Sequence, residues 1–248
     1  MVKRSKLSQV LASILVNSIY QMINYPIMLV NTLLAPFSIL VIIILISHGG
    51  LINVGIEGAL IMTTITAGIG LQGDLSHLKN DMKLQDMVVS SPTSSLIYVI
   101  GMGISELIYA APVIILLAVM AAIFIHPTLM QTAVLAAVMG ITFVFSIVLG
   151  YLLSTISSDV VQSWGFSGII SVLLSTLPPV YYPISYIPMP FQLLAYLSPT
   201  TYAAEIVQNA IGFIHLTPTN LVIDWIVIVG ICAALIVIAY KKAQWRES

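Results

Sequence analysis

The chain has 248 residues, 59% of them hydrophobic and 7% charged, with a net charge of −1 and a mean hydropathy of +1.09. A soluble domain carries roughly 25% charged residues, so a water-soluble fold is excluded, and the single cysteine, Cys232, excludes an intrachain disulfide or a multi-cysteine metal site. The apolar residues fall in blocks near or above the ~20 a helix needs to cross a bilayer, without the two-residue alternation of a membrane barrel.

An all-α integral membrane protein with six transmembrane helices is expected. The N-terminal "MVKRSKLSQVLASILVNS" has a basic head but no small-residue cleavage site, so no removable signal peptide is read. Residues 5–24 place Leu7, Val10, Leu11, Ile14 and Ile19 at helical spacing, which suits a helix lying in the membrane interface. The competing reading is an extension of the first span.

That span covers 26–47, with Pro26 in its first turn and Pro36 as a mid-span kink. Gly49 and Gly50 break it from the second, 51–71. The third, 96–125, would reach about 45 Å and must tilt or begin in the headgroup region. His126 and Pro127 form a tight turn before the fourth, 129–153. The fifth is placed at 164–178 and the sixth at 221–240.

Between spans five and six, residues 181–213 are apolar yet unable to cross, because five prolines from Pro178 to Pro190 forbid a helix there. Two short helices dipping into the membrane and returning are expected. In the second, Ser198 is a candidate N-cap, Pro199 starts the first turn and Gly212 stops it. Tyr181, Tyr182, Tyr186, Tyr196 and Tyr202 supply amphipathic rings suited to an interface.

The eight Lys and Arg lie in three groups: Lys3, Arg4 and Lys6; Lys79 and Lys83; Lys241, Lys242 and Arg246. Six spans put all three groups on one side, which by the positive-inside rule is the cytoplasm of a plasma membrane. Both termini are then cytoplasmic. The loop 154–163 has neither Lys nor Arg, so parity alone places it.

Residues 74–92 are where charge gathers inside the chain. Leu75, Leu78, Met82 and Val89 follow a helical period, while His77, Lys79, Asn80, Asp81, Lys83, Gln85 and Asp86 fill the other positions. This is a short amphipathic helix. Mixed charge argues against attraction to an anionic leaflet and favours a protein partner over a merely solvated loop.

Acids within spans are costly and usually face protein or water. Glu106, inside span three, is read as a cavity-lining or interhelical residue; Glu57, about two turns from the outer end of span two, has an easy route to water by snorkelling. Asp159 and Asp224 are read as interfacial. The four histidines, His48, His77, His126 and His215, fall at span ends or loops, so no haem or metal site is expected. Thr63, Thr64, Thr66, Ser167, Ser171 and Ser175 are read as packing residues.

The N-terminal helix, the charged run ending in "VVSSPTSSLIYVIGMGISELI" and the segment ending in "LSPTTYAAEIVQNAI" together resemble the membrane subunit of a type-2 ABC exporter, drug-resistance exporters included. The resemblance covers nearly the whole chain through short, degenerate motifs. It implies that His77, Leu78, Lys79, Asn80, Asp81, Met82, Lys83, Gln85, Asp86, Ser91 and Pro92 form the coupling helix that docks on a separate ATPase. Where the family often has Glu, Arg and Gly-Thr in that helix, this chain has Asn80, Asp81, Lys83 and Asp86. Where it commonly has Arg after the Pro-Thr-Tyr of the external segment, this chain has Gln208 and Asn209. The resemblance further implies an external re-entrant segment that includes Ser198, Pro199, Tyr202 and Glu205. It implies a homodimer or heterodimer of membrane subunits around a shared path, with ATP and Mg on the partner chain. No G-x-x-x-x-G-K-[ST] loop occurs here, so this chain is read as non-catalytic and as binding no cofactor or nucleic acid itself. Sparse charge in the outer segments favours an amphipathic or hydrophobic cargo such as a drug, peptide or lipid. The alternative is a secondary transporter or channel, which matched broken helices in an internal repeat would favour.

Overall fold

The computed structural model describes residues 6–80, 95–157, 159–175 and 178–242. Every regular element among the described residues is helical. The order is α1 (Lys6–Ile14), a wide π turn (Leu15–Ile19), α2 (Tyr20–Asn24), α3 (Pro26–Ile46), α4 (Ile52–Asn80), α5 (Ser95–Phe124), α6 (Leu129–Ile156) and α7 (Val160–Ser175). A 3-10 turn (Ile184–Tyr186), α8 (Met189–Ala195), α9 (Pro199–Ala210) and α10 (Pro218–Lys242) complete it.

Local chemistry sets the joints. Tyr25 leaves the helical region (φ −128°, ψ 59°) because the residue before a proline is pushed toward extended backbone. The first span is thus separated from α1–α2. After α3, His48 and Gly49 take positive φ (49° and 83°), and Gly49 N donates to Ile44 O at 2.9 Å. Thr128 and Gln131 form a reciprocal capping box that opens α6. Gly212, at φ 77°, ends α9, with Phe213 N donating back to Gln208 O at 2.9 Å.

The core forms around α4. In its most apolar stretch, 83% of the helix is buried, against 28% or less in the other four helices long and apolar enough to cross a membrane. Ile56, Leu60, Ile61, Ile65 and Ile69 of α4 pack with Val113 and Leu117 of α5, Val138 and Phe145 of α6, and Ala203, Ile206 and Val207 of α9. Helices α3, α5, α6 and α10 instead turn Leu34, Ile42, Ile115, Val119, Val144, Ile226 and Val237 outward. So much exposed apolar surface requires a lipid cover.

Two ends of the bundle can be defined. Gln72 of α4 meets Ser157 after α6 and Ser163 and Ser167 of α7 at one end. At the other, Gln131 of α6 donates to Ala210 O of α9 at 3.0 Å, and Gln208 of α9 donates to Pro179 O at 3.2 Å. Helix α7 runs from the first end to the second, where Leu174 O accepts from Thr200 Oγ1 at 2.9 Å. It has 16 residues, about 24 Å of rise, short of ~30 Å of hydrocarbon.

Two expectations change. The charged run does not begin a separate helix at Leu75: α4 continues unbroken to Asn80. No strong breaker interrupts it, Gly73 sits against the Trp164 ring, and its polar residues find partners on neighbouring helices. The fifth helix starts at Val160 rather than 164, with Asp159 capping it by accepting from Gln162 N at 2.7 Å. The N-terminal segment from α1 to α2 turns its polar face inward. Ser13 lies 3.3 Å from the Ser105 hydroxyl, Asn17 donates to Met102 Sδ at 3.0 Å, and Ser18 donates to Ser105 O at 2.6 Å. Leu7, Leu11, Leu15, Val16 and Ile23 point away from the protein.

Candidate functional site: buried polar groups at the two ends of the bundle

At the first end, Gln72 is fully buried and ties three helical segments together. Its Nε2 donates to Ser157 Oγ at 3.2 Å, its Oε1 accepts from Ser167 Oγ at 2.9 Å, and its backbone O accepts from Ser163 Oγ at 3.3 Å. One half-turn further on, Asp74 hydrogen-bonds Glu106 of α5. Glu106 reaches there because α4 presents Gly70: a Cβ at that position would come within 3.3 Å of Glu106 Oε2. This contact is a clasp between α4 and α5. His77 lies near Asp74 on the same helix, and Tyr98 approaches from α5.

Sequence spacing could not find this clasp. Glu106 stands in the sequence as an acid inside a span, and the structure makes it an interhelical residue; Asp74 stands there only as the first residue of the charged segment 74–92. Among the proposed coupling residues, His77 is exposed, Leu78 half-buried, and Lys79 and Asn80 are the last residues of α4. Asp81, Met82, Lys83, Gln85, Asp86, Ser91 and Pro92 lie outside the described residues.

Glu57 does not reach water as expected. It is 3% exposed and its Oε2 has no hydrogen-bond partner. The neighbouring Gly58 lets Val180 O and Tyr181 close onto this face of α4. Thr63, Thr64 and Thr66 bond carbonyls of their own helix, a packing arrangement, whereas Ser167 bridges helices.

At the second end, α9 is buried from Thr200 to Gln208 apart from a half-exposed Tyr202. Ser198 occupies its N-cap position, but the Ser198 hydroxyl pairs with the Thr200 hydroxyl at 2.8 Å rather than with a backbone N–H. Pro199 opens the helix. Thr201 donates to Ala195 O, and Tyr202 OH donates to Tyr196 O at 2.9 Å. Tyr196 OH donates to Glu205 Oε1 at 3.1 Å. Burial raises the Glu205 pKa above the usual carboxylate range, and the Tyr196 hydroxyl partly offsets this. Asp224 of α10 is buried against protein: it is 4% exposed and its Oδ2 has no partner. An apolar cleft of about 420 Å³ opens at the same end between Ile43, Ile46 and Leu51 on one side and Tyr182, Tyr186 and Phe213 on the other.

A bundle with apolar flanks around one deeply buried central helix defines a multi-pass membrane protein. The chain belongs to the ABC-2 type transporter family, whose sequence pattern matches residues 9–211. It is the multi-pass transmembrane subunit of an ABC transporter. In this family the membrane component is typically non-catalytic and implies association with an ABC ATPase. The match ends just after α9, so α10 and Asp224 lie beyond it. Comparison with curated proteins finds no match.

Proposed function

We propose that this chain is the membrane half of an ATP-driven exporter, working as a homodimer or with a second membrane subunit, and moving an amphipathic or hydrophobic compound. ATP and Mg act on a separate ATPase chain. The observation that carries this reading is α4: one continuous helix from Ile52 to Asn80, the most buried of the spans, whose last residues, from His77 to Asn80, belong to the coupling helix of this reading. A rigid rod of about 44 Å held on all sides moves as a unit. Displacement applied at its polar end therefore reaches Glu57 and the α9 contacts at the other.

In this reading α7 is the fifth of six crossings, and the Lys79 and Lys241 ends of α4 and α10 face the cytoplasm. The segment 181–213, with Ser198, Pro199, Tyr202 and Glu205, is an external re-entrant hairpin. Glu57 is the acid placed to contact the path. ATP drives the change only if it binds the two arrangements with different affinity.

Purification of the full chain in mild detergent tests the assignment: an ATP-binding subunit of roughly 25–40 kDa, an ordinary size for a soluble domain, should accompany it. Reversing the charges of Lys79, Lys83 and Asp86 should leave membrane insertion intact and separate ATP hydrolysis from transport. Normal transport by that variant would remove the coupling role. Amphipaths, and not anionic glycans, should stimulate ATP hydrolysis by the reconstituted complex.

A further inference from the structure

At the end of the bundle away from Lys79 and Lys241, two acids are folded into apolar surroundings with no cationic side chain supplied by the sequence. Glu205 of α9 and Asp224 of α10 are each 4% exposed. They interact electrostatically with one another, and Asp224 also faces Tyr196 and Tyr202. Glu205 has a donor in Tyr196 OH. Asp224 Oδ2 is sealed from solvent and has none. The chain contains no Lys or Arg between residues 84 and 240.

The mismatch at this end is one-sided. Gln208 Oε1, one turn along α9 from Glu205, and Glu57 Oε2 on α4 are likewise buried without partners. The amide oxygen is an acceptor, and so are both carboxyl oxygens when ionised, so what this end lacks is a donor.

We propose that Asp224 and Glu205 form a binding site for the primary ammonium head of an amphipathic ligand, seated against the ring of Tyr196. An ammonium group has three N–H donors and no acceptor, the complement of this set. An aromatic face beside it adds cation–π attraction. The Tyr196 and Tyr202 rings stand 5.6 Å apart and tilted by 49°, and Tyr196, 37% exposed, marks the open side. A hard divalent metal suits the site less well. It takes six to eight oxygen ligands, and no group of three His, Cys, Asp or Glu side chains that could hold a metal occurs among the described residues. The ammonium group can belong to a phosphatidylethanolamine headgroup or to a free amphipathic amine. As a cargo site it rests on the exporter reading; as a binding site it does not.

The test uses the full chain alone, in nanodiscs of phosphatidylglycerol, with thermal unfolding followed by tryptophan fluorescence. Hexylammonium chloride, or phosphatidylethanolamine doped into the disc, should raise the melting temperature. Asp224→Asn should unfold no earlier than wild type without ligand, because it removes the orphaned carboxylate, and should weaken ligand binding at least about tenfold. Glu205→Gln should weaken it too. A response to hexylammonium alone assigns a free amine, and a response to the lipid alone assigns a headgroup; either supports the site. Undiminished binding by Asp224→Asn overturns it. So does stabilisation by calcium chloride, or by acidification, with no effect of either amine source. Because no ATPase is present, loss of this binding and loss of ATPase coupling are separate results.

Discussion

Gly150 is where α6 lies closest to α4, and substituting it offers a test of the packing that holds the central helix. A Cβ added there would stand 2.9 Å from Gly68 O, 3.3 Å from Ile69 O and 3.4 Å from Gln72 N. All three atoms are α4 backbone, so no side-chain rotation relieves the contact. Ordinary van der Waals contact begins at 3.4 Å, so α6 must retreat by about 0.5 Å. Overpacking of this kind costs about 1–3 kcal/mol, and the Gln72 bonds to Ser157 and Ser167 lie beside the displaced surface. Gly140 on the same helix is the internal control, because a Cβ there meets nothing within 4 Å. Gly140→Ala should gain up to about 1 kcal/mol from helix propensity alone. The same propensity gain applies at Gly150, so reversible unfolding of the full chain in detergent micelles, followed by circular dichroism, should leave Gly150→Ala less stable than Gly140→Ala by the overpacking cost alone, roughly 1–3 kcal/mol. If the two variants shift alike, the close α4–α6 approach is not what fixes the core.

Glu205 predicts a pH dependence. Burial raises its pKa in the fold above the ordinary 4.5, so the folded chain binds more protons than the unfolded chain above that value. Stability is therefore fully present below 4.5 and declines as pH rises through the folded pKa. Glu205→Gln should flatten this decline in melting temperature measured against pH. Gln72→Leu removes two interhelical side-chain bonds, each worth about 0.6 to 1.7 kcal/mol in a membrane protein. Amide exchange across Val160–Ser175 should accelerate, and unchanged protection would deny Gln72 its tying role. Ser18→Ala deletes the 2.6 Å bond to Ser105 O at a cost of about 1 kcal/mol. Faster proteolysis between residues 6 and 24, with the remaining spans still protected, is the expected readout.

Much of the helical plan was legible because it depends on local chemistry. Pro26 after Tyr25, Gly49 after the first span, Thr128 before the fourth and Gly212 after α9 mark joints that lie within a residue or two of those expected. These residues act through φ, ψ and capping bonds confined to one turn. The end of α4 was not legible. Charge at Asp74 reads as water, and only the arrival of Glu106, Trp164 and the α7 serines makes those positions interior. Which face of α1 meets the protein was not legible either. A helix in a membrane can turn its polar residues toward protein and its apolar ones toward lipid, and its period is the same in either case.

The sequence by itself determined that this protein lives in a bilayer and where most of its helices begin, because hydropathy and capping are summed residue by residue along the chain. Only the tertiary structure decided which acids meet. Asp74 with Glu106, and Glu205 with Asp224, are joined by helix packing across distant positions, and the energy of a buried carboxyl depends on what that packing places beside it.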